Sequence, residues 1–431
     1  MAWPISNCWD GLDGKWSTWN ITVGIPSQSF RVLASTNISE LTLPFASAYL
    51  TDPQALVCGS SRGVRHSYGY SPNGSQYWDA RGGSDMMYNF IDVEEEFAKI
   101  PQPSSLWPDL GTKLTGLYTP AEEDHGWPSN HPGLVSGWRS KVEEADPNEG
   151  AFLGAIGLKA IPSRHWMWPT GRHYYWSWDN IQRSMIQRLT GDTELTMGYA
   201  YTPGAHYRKS ECTPNLLSVG VHRRAVIIAV TPSQECSSVP AFLIYRSGNT
   251  HGSLSMGYYN PSLLTLDARS FPFSPPDDSL NLTILSISVS QSLHTRSKYS
   301  LLASPLYSTI LDSTSPFLIL PEIICRRFQH SFGLQYEASS GLFLVNSSNH
   351  LRLKEMNPSF TFELAGPEHK KNTENENDRG GDTLKITLPY ESFDLFIKRS
   401  WDDDEPRAYF PIKIAKPGAD NVLGRSFLQE V

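Results

Sequence analysis

Short apolar runs recur along the chain, and turn-forming residues separate them at close intervals. Several runs alternate apolar with polar positions, which is the period of a strand with one buried face. The clearest runs are Ile21–Val23, Phe30–Leu33, Leu41–Leu43, Leu280–Val289, Ser308–Leu311, Phe317–Leu320, Gly341–Val345 and Thr383–Leu388. Helix-period segments are scarce, and the best candidates are Trp178–Leu189 and Pro321–Phe328. The pattern therefore predicts an all-β fold.

One stretch of this pattern is repeated far along the chain. Phe30–Pro44 (FRVLASTNISELTLP) and Tyr307–Pro321 (YSTILDSTSPFLILP) each contain a strand, a Ser/Thr-rich turn and a second strand closed by proline. Superposing them places Ser35–Asn37 (STN) opposite Asp312–Thr314 (DST). A duplicated, two-lobed chain gives such a repeat, and so does chance, because β–turn–β units are common.

The composition limits the classes of fold and partner. Hydrophobic residues make up 39% of the chain and aromatic residues 12%, which supports a sizeable core and argues against disorder. The net charge of −8 gives no basic field, so we expect no nucleic-acid partner. No run of about 18 apolar residues occurs, so we expect no membrane span in this chain.

The sequence features that indicate where the protein resides disagree with each other. The first residues lack the basic and apolar segments of a secretory signal. Sites for N-glycosylation nonetheless occur at five asparagines, which favours a secretory route: Asn20, Asn37, Asn73, Asn281 and Asn346. Five cysteines are an odd number, so at least one thiol is free or pairs with another chain. We expect a secreted or cell-surface protein with one or two disulfide bridges.

Segments spread over most of the chain resemble the pepsin-like aspartic peptidases. Ile310–Ser315 is similar to the active-site loop of that family, which carries Asp-Thr/Ser-Gly/Thr-Ser between apolar strands. Four further segments match the family in the same order along the chain: Ile21–Gln28, Phe152–Leu158, Gly252–Gly257 and Val422–Phe427. The resemblance is to a divergent fungal branch at Trp9–Thr18, Tyr201–Arg208, Leu388–Leu395 and Leu423–Glu430.

The resemblance implies a bilobal pepsin-like (acid protease) fold with a central cleft. The N-terminal lobe is then residues 1–265, with an insertion at 209–250, and the C-terminal lobe is residues 266–431. The insertion is interpreted as a surface element or a translated intron. The second lobe is interpreted as truncated at its end, because family members continue with a further strand. The resemblance also implies a monomer with a peptide or protein ligand in the cleft, no cofactor and no metal.

The chemistry of the family requires two carboxylates that share a proton across one water molecule. Here Asp312 supplies the second-lobe carboxylate, whereas Ser35 stands at the first-lobe position. A serine hydroxyl does not ionise near neutral pH and takes no proton from water without a base. We therefore predict lost or impaired endopeptidase activity and binding of a peptide or glycan. The alternative is an active aspartic endopeptidase that uses a non-standard site.

The resemblance also gives the residues expected to line the binding site. Four flank the catalytic positions and one lies in the flap, and together they are Thr36, Asn37, Ser313, Thr314 and Leu110. Leu110 belongs to Asp109–Gly116, the nearest match to the flap hairpin, at the place where the family has tyrosine. A glycan on Asn37 would fill the cleft, so we expect that asparagine to stay unmodified.

A cluster of aromatic residues gives the glycan interpretation a physical basis. Its members are Trp166, Trp168, Tyr174, Tyr175, Trp176 and Trp178. Flat aromatic faces stack on sugars or peptides. The same residues also suit packing of a loop against the predicted helix at 178–189, and the sequence favours this packing role.

Overall fold

The computed structural model describes segments of the chain that form four β-sheets and three α-helices. The described residues are 5–11, 13–24, 28–38, 41–43, 70–74, 84–88, 137–144, 154–159, 199–205, 217–222, 225–230, 250–256, 269–272, 280–367, 383–397 and 405–428. Strands dominate these segments, which confirms the predicted all-β class. None of the helices in these segments has the length and apolar character that crossing a membrane requires.

Among the described strands, seven form a first sheet in the order β1-β2-β3-β7-β4-β6-β5. Their bounds are β1 (Ile5–Asp10), β2 (Trp16–Val23), β3 (Gln28–Ser35), β4 (Leu41–Leu43), β5 (Ser84–Tyr88), β6 (Gly137–Glu144) and β7 (Gly154–Gly157). β5 also pairs with β2, so the sheet closes on itself. The strands predicted at 21–23, 30–33 and 41–43 are confirmed as parts of β2, β3 and β4.

A second sheet has the order β11-β8-β9-β10-β12. Its strands are β8 (Tyr199–Ala205), β9 (Leu217–His222), β10 (Ala225–Val230), β11 (Thr250–Met256) and β12 (Arg269–Pro272). β9 and β10 lie within the predicted insertion at 209–250, and as an antiparallel pair they connect β8 to β12. This part of the insertion therefore belongs to a sheet, and the sheet includes a strand beyond the predicted lobe boundary at 265.

The second half of the chain contains the third and fourth sheets. The third has the order β20-β19-β13-β15-β24-β16-β23, with β14 paired to β13. Its strands are β13 (Asn281–Val289), β14 (Tyr299–Ser300), β15 (Leu306–Leu311), β16 (Leu318–Leu320), β19 (Ser359–Ala365), β20 (Thr383–Pro389), β23 (Ile412–Ile414) and β24 (Asn421–Leu423). The fourth has the order β17-β18-β22-β21, with β17 (Gln335–Glu337), β18 (Leu342–Leu344), β21 (Leu395–Ile397) and β22 (Arg407–Phe410).

The described helices are α1 (Glu322–Phe332), α2 (Ser347–Met356) and α3 (Arg425–Leu428), and short 3₁₀ turns occur at Pro72–Gly74 and Tyr390–Phe393. α1 confirms the helix predicted at 321–328. It buries Ile324, Cys325 and Phe328 on one face. It ends at Gly333, whose φ of 58° is a left-handed conformation that favours glycine. The helix predicted at 178–189 and the aromatic cluster at 166–178 lie outside the described residues.

The same arrangement of four strands occurs in the first and third sheets. In the first sheet, β7 pairs parallel with β3 and antiparallel with β4, and β4 pairs parallel with β6. In the third sheet, β24 pairs in the same way with β15 and β16, and β16 pairs parallel with β23. Ile156 pairs with Ala34 and Leu41, and Leu423 occupies the corresponding register position between β15 and β16. The repeat in the sequence therefore coincides with a repeated unit of structure.

Among the described residues, two buried apolar clusters include residues of this repeated unit. The larger lies in the second half and includes contacts among the aromatic rings of Phe328, Phe332, Phe360, Phe393 and Phe410. The smaller contains residues from both halves, and its buried members are Trp16, Leu33, Ala155, Phe317, Leu342, Leu395 and Tyr409. Because burial of apolar surface favours the folded state, the second cluster holds the first sheet against the second half.

Candidate functional site

Two turns follow equivalent strands of the repeated unit and meet each other. The first turn is Ser35–Asn37, at the end of β3, and the second turn is Asp312–Thr314, after β15. The backbone of each turn is tied to the strand beside it. Leu158 N–H donates to the Ser35 carbonyl oxygen at 2.8 Å, and Asp312 N–H donates to the Leu423 carbonyl oxygen at 3.1 Å.

The middle residues of the turns, Thr36 and Ser313, exchange hydrogen bonds. The Thr36 hydroxyl accepts from Ser313 N–H at 3.0 Å and donates to the Leu311 carbonyl oxygen at 2.9 Å. The Ser313 hydroxyl accepts from Thr36 N–H at 2.9 Å and donates to the Ala34 carbonyl oxygen at 2.6 Å. Thr36 is 1% exposed and Ser313 is fully buried. We call these two residues the hydroxyl pair. It satisfies four buried backbone groups and fixes the two turns face to face.

The third residue of each turn reaches across to the first residue of the other. The Asn37 side-chain amide donates from Nδ2 to Asp312 Oδ2 at 3.1 Å. On the other side, Thr314 Oγ1 is hydrogen-bonded to Ser35 Oγ. Within each turn, the backbone N–H of the third residue also donates to the first residue, Thr314 N to Asp312 Oδ1 at 2.8 Å and Asn37 N to Ser35 Oγ at 3.3 Å. The site is therefore a closed polar network with approximate two-fold symmetry.

Ser35 is held as a hydrogen-bond acceptor. Its Oγ accepts from Asn37 N–H at 3.3 Å and from Ile38 N–H at 3.1 Å, which uses both lone pairs of a hydroxyl oxygen. The remaining hydroxyl hydrogen is therefore donated to Thr314 Oγ1. Ser35 is fully buried. Its contacts with the described residues include no base, so this geometry does not activate it to attack a carbonyl group.

Asp312 carries the only carboxylate in the described part of this network. It is half-buried, and among the described residues its carboxylate oxygens accept from Asn37 and Thr314. Neither partner is a carboxylic acid, so this geometry has no pair that shares a proton. The described segments also contain no group of three or more His, Cys, Asp or Glu side chains that could hold a metal ion.

Arg425 lies directly behind the second turn. Its side chain is 3% exposed, and its Nη1 donates to the carbonyl oxygen of Ser313 at 3.0 Å and to that of Thr314. Its backbone N–H donates to the Ser315 carbonyl oxygen at 2.7 Å. The preceding Gly424 permits this close approach, because a Cβ there would lie 2.4 Å from that same carbonyl oxygen. One residue therefore holds three successive carbonyl groups.

Asp13 joins Arg425 to the first sheet. Arg425 Nη2 donates to Asp13 Oδ2 at 3.2 Å, and Trp16 Nε1 donates to Asp13 Oδ1 at 2.7 Å. The guanidinium lies 4.7 Å from the centre of the Trp16 ring, and the Tyr409 hydroxyl donates to the Asp13 carbonyl oxygen. Burial, followed by the charge of Asp13, raises the pKa of Tyr409. We call Asp13, Trp16, Tyr409 and Arg425 the Arg425 cluster.

The structure brings together most of the residues that the sequence predicts for the site. Six of the predicted residues lie together in the two turns: Ser35, Thr36, Asn37, Asp312, Ser313 and Thr314. Leu110, predicted in the flap, lies outside the described residues. Sequence reasoning missed the Arg425 cluster. Trp9–Thr18 and Leu423–Glu430 both entered the family resemblance, but no spacing rule connects residues 412 positions apart.

Comparison with known proteins adds no assignment to this geometry. No protein-family model matches the chain, and no curated protein is significantly similar to it. A function is therefore inferred from the geometry of the two turns.

Proposed function

We propose that this protein is a pepsin-like aspartic peptidase relative that holds an extended peptide at its two turns without cleaving it. The observation that carries the proposal is the pair of turns with a single carboxylate, in which the Asn37 side-chain amide donates a hydrogen bond to Asp312 Oδ2. The finer fold assignment, a bilobal pepsin-like architecture with a central cleft, is part of the same proposal.

The repeated unit and the hydroxyl pair support the fold assignment. Equivalent strands β3 and β15 end in turns that face each other, and each middle hydroxyl makes the same two bonds to the opposite turn. A duplicated two-lobed chain accounts for both features at once, because each lobe supplies one turn. The pepsin-like motif Ile310–Ser315 contains the second turn, and the motif Val422–Phe427 begins in β24, which pairs with the strand that leads to this turn.

The chemistry of the turns supports binding without hydrolysis. Aspartic peptidase chemistry needs one group to take a proton from water while another donates one to the peptide carbonyl. Asp312 can fill one role, and the buried Ser35 hydroxyl cannot fill the other. Loss of one positioned acid or base costs about 10²–10⁴ in rate, and more where two groups act as a unit. The half-buried Asp312, Asn37 and Thr314 still offer polar groups to a peptide backbone.

The test is cleavage and retention of a mixed peptide library between about pH 3 and pH 7, the range over which carboxylates titrate. It compares the parent protein, Asp312→Asn and the double variant Ser35→Asp with Asn37→Gly. The double variant supplies the second carboxylate and removes the amide that donates a hydrogen bond to Asp312. We expect the parent to retain peptides without cleaving them and the double variant to gain cleavage at acidic pH.

Asp312→Asn is the matched control, since it keeps the shape of the side chain and removes its charge. If the parent cleaves peptides and Asp312→Asn abolishes cleavage, the proposal is wrong and the chain is an active endopeptidase with a non-standard site. If the folded parent neither cleaves nor retains peptides, peptide binding is also wrong. A glycan array measured on the same sample then tests the remaining class of ligand.

A further inference from the structure

We infer that Arg425 is a positioning residue, which together with Asp13 fixes the second turn against the first. Through this role it sets the contact between Asn37 and Asp312, although it touches neither side chain in the described structure. The role is separate from the proposed function, because it concerns the geometry of the turns whether or not a peptide binds.

The contacts of Arg425 converge on the backbone of the second turn. Nη1 reaches the carbonyl oxygens of Ser313 and Thr314, while Nη2 reaches the carboxylate of Asp13. A guanidinium presents its donors in a fixed plane, so contacts made by two of its nitrogens constrain both position and orientation. The ammonium of a lysine has no such fork and cannot reproduce this set of contacts.

Asp13 connects this constraint to the first turn. It lies between β1 and β2, and β2 pairs from Trp19 to Val23 with β3, the strand that ends at Ser35. Arg425 begins α3, directly after β24, which pairs with the strand that leads to Asp312. The bond between Asp13 and Arg425 therefore connects the strands that lead to the two turns.

Because Arg425 is buried and Asp13 is half-buried, loss of either charge is energetically costly. Arg425 is 3% exposed and Asp13 is 15% exposed, so removing either charge leaves its partner in a poorly solvated place. Loss of the guanidinium also takes donors from two carbonyl groups of the second turn. Those groups must then move toward water, and the turn must move with them. A shift of the second turn changes the distance from Asp312 to Asn37.

The experiment follows the Asn37 side-chain amide, which donates to Asp312 and reports the contact between the turns without any ligand. Protein labelled with ¹⁵N in asparagine gives the hydrogen-exchange rate of this amide by NMR. The variant is Arg425→Met, and the matched control is Arg31→Met. Arg31 forms a comparably buried ion pair, with Asp10 at 2.9 Å, in the first sheet.

We expect exchange at the Asn37 amide to become about tenfold faster in Arg425→Met and to change less than about twofold in Arg31→Met. Arg425→Lys should not restore the slow exchange. Equal acceleration by both methionine variants would mean general loss of stability and would overturn the positioning role. Unchanged exchange in folded Arg425→Met would do the same.

Circular dichroism establishes whether Arg425→Met folds. If it does not, Asp13→Asn decides the question with the same measurement, because it removes the anchoring charge and leaves Arg425 in place. Faster Asn37 exchange in Asp13→Asn supports the positioning role, and unchanged exchange overturns it. A protein that fails to retain peptides but behaves as expected here would contradict only the proposed function.

Discussion

The first turn and the second turn have the same hydrogen-bond pattern and different chemistry at their leading residue. In each, the middle hydroxyl bonds to the opposite backbone and the third residue reaches across. The leading residue is buried Ser35 in one turn and half-buried Asp312 in the other. The geometry of the pair therefore depends on Thr36 and Ser313, and a carboxylate at the leading position is not needed to form it.

The third residues differ as well, and this difference has the larger chemical consequence. Thr314 contributes a short hydroxyl, which completes the contacts of Ser35. Asn37 contributes an amide that donates to the carboxylate of Asp312. The two turns therefore keep their hydrogen-bonded frame although one of the two acids that proton transfer requires is replaced by a hydroxyl.

The largest effect is expected from breaking the hydroxyl pair. Thr36→Val keeps the shape of the side chain and leaves Ser313 N–H and the Leu311 carbonyl without their partner. Unsatisfied buried groups are costly, so we expect the free energy of unfolding to fall by about 3 kcal/mol. Chemical denaturation measures this change.

Thr309→Val is the matched control for that substitution. Thr309 is also fully buried, but its hydroxyl makes one local bond, to the Leu306 carbonyl oxygen at 3.4 Å. We expect a loss of about 1 kcal/mol or less. Equal losses for the two valine variants would contradict the structural role given to the hydroxyl pair.

A smaller effect is expected from giving the first turn a carboxylate at its third position. Asn37→Asp places a second carboxylic acid beside Asp312. Repulsion between two carboxylates at this distance raises the pKa of one of them. The raised pKa destabilises the folded state as pH rises above the unfolded value near 4 and leaves it unaffected below. We expect Asn37→Asp to be about 1 kcal/mol less stable than Asn37→Ser at pH 7, with the difference closing toward pH 4. Urea unfolding of both variants at the two pH values measures the difference, and a gap independent of pH would contradict the contact.

The next effect concerns a stacked histidine in the second sheet. His251 in β11 stacks on Trp9 at 4.4 Å, and burial lowers its pKa. A lowered pKa means that the unfolded chain takes up the proton first, so stability falls as pH drops below about 6.5. His251→Phe keeps the stack and should remove this part of the pH dependence, by less than about 1 kcal/mol. Unfolding measured at pH 7.5 and 5.5 tests it, and an unchanged pH dependence would count against the stacked neutral imidazole.

The last prediction concerns the reactivity of a thiol in the second half and involves no change in stability. Cys325 is a free, buried thiol in α1, and burial raises its pKa to about 12. Since the thiolate is the reactive form, we expect negligible alkylation by iodoacetamide in the native protein and full alkylation in urea. Peptide mapping by mass spectrometry identifies the site, with disulfide-bonded Cys8 as the internal control. Fast native alkylation would place Cys325 near the surface.

The sequence was most informative where burial follows a simple period. β2, β3, β13, β16 and β20 alternate or run apolar, and their strands were predicted within a few residues. The repeat also identified the two turns as equivalent, because equal spacing from strand to turn to strand is a local property of the chain, whereas the expectation that they line one cleft came from the family resemblance.

Features that depend on distant partners escaped prediction. α2 buries only Leu353 and exposes Leu351, so it has no apolar stripe to find, although Asn346 at its N-cap and Asn357 at its C-cap were visible signals. The Asn37 bond to Asp312 and the Arg425 cluster join residues hundreds of positions apart. Nothing in the local sequence separates such a buried arginine from one on the surface.

The hydroxyl pair also has a consequence for how the chain is made. Thr36 and Ser313 are 277 residues apart. At about 5–20 residues per second, the ribosome adds the second turn roughly 14–55 s after the first. During that interval the Thr36 hydroxyl and the Ala34 carbonyl lack the hydrogen bonds that Ser313 supplies, so the turn network is incomplete. The contact between the two turns therefore cannot form before residue 313 is added, and every nascent chain shorter than about 313 residues lacks it.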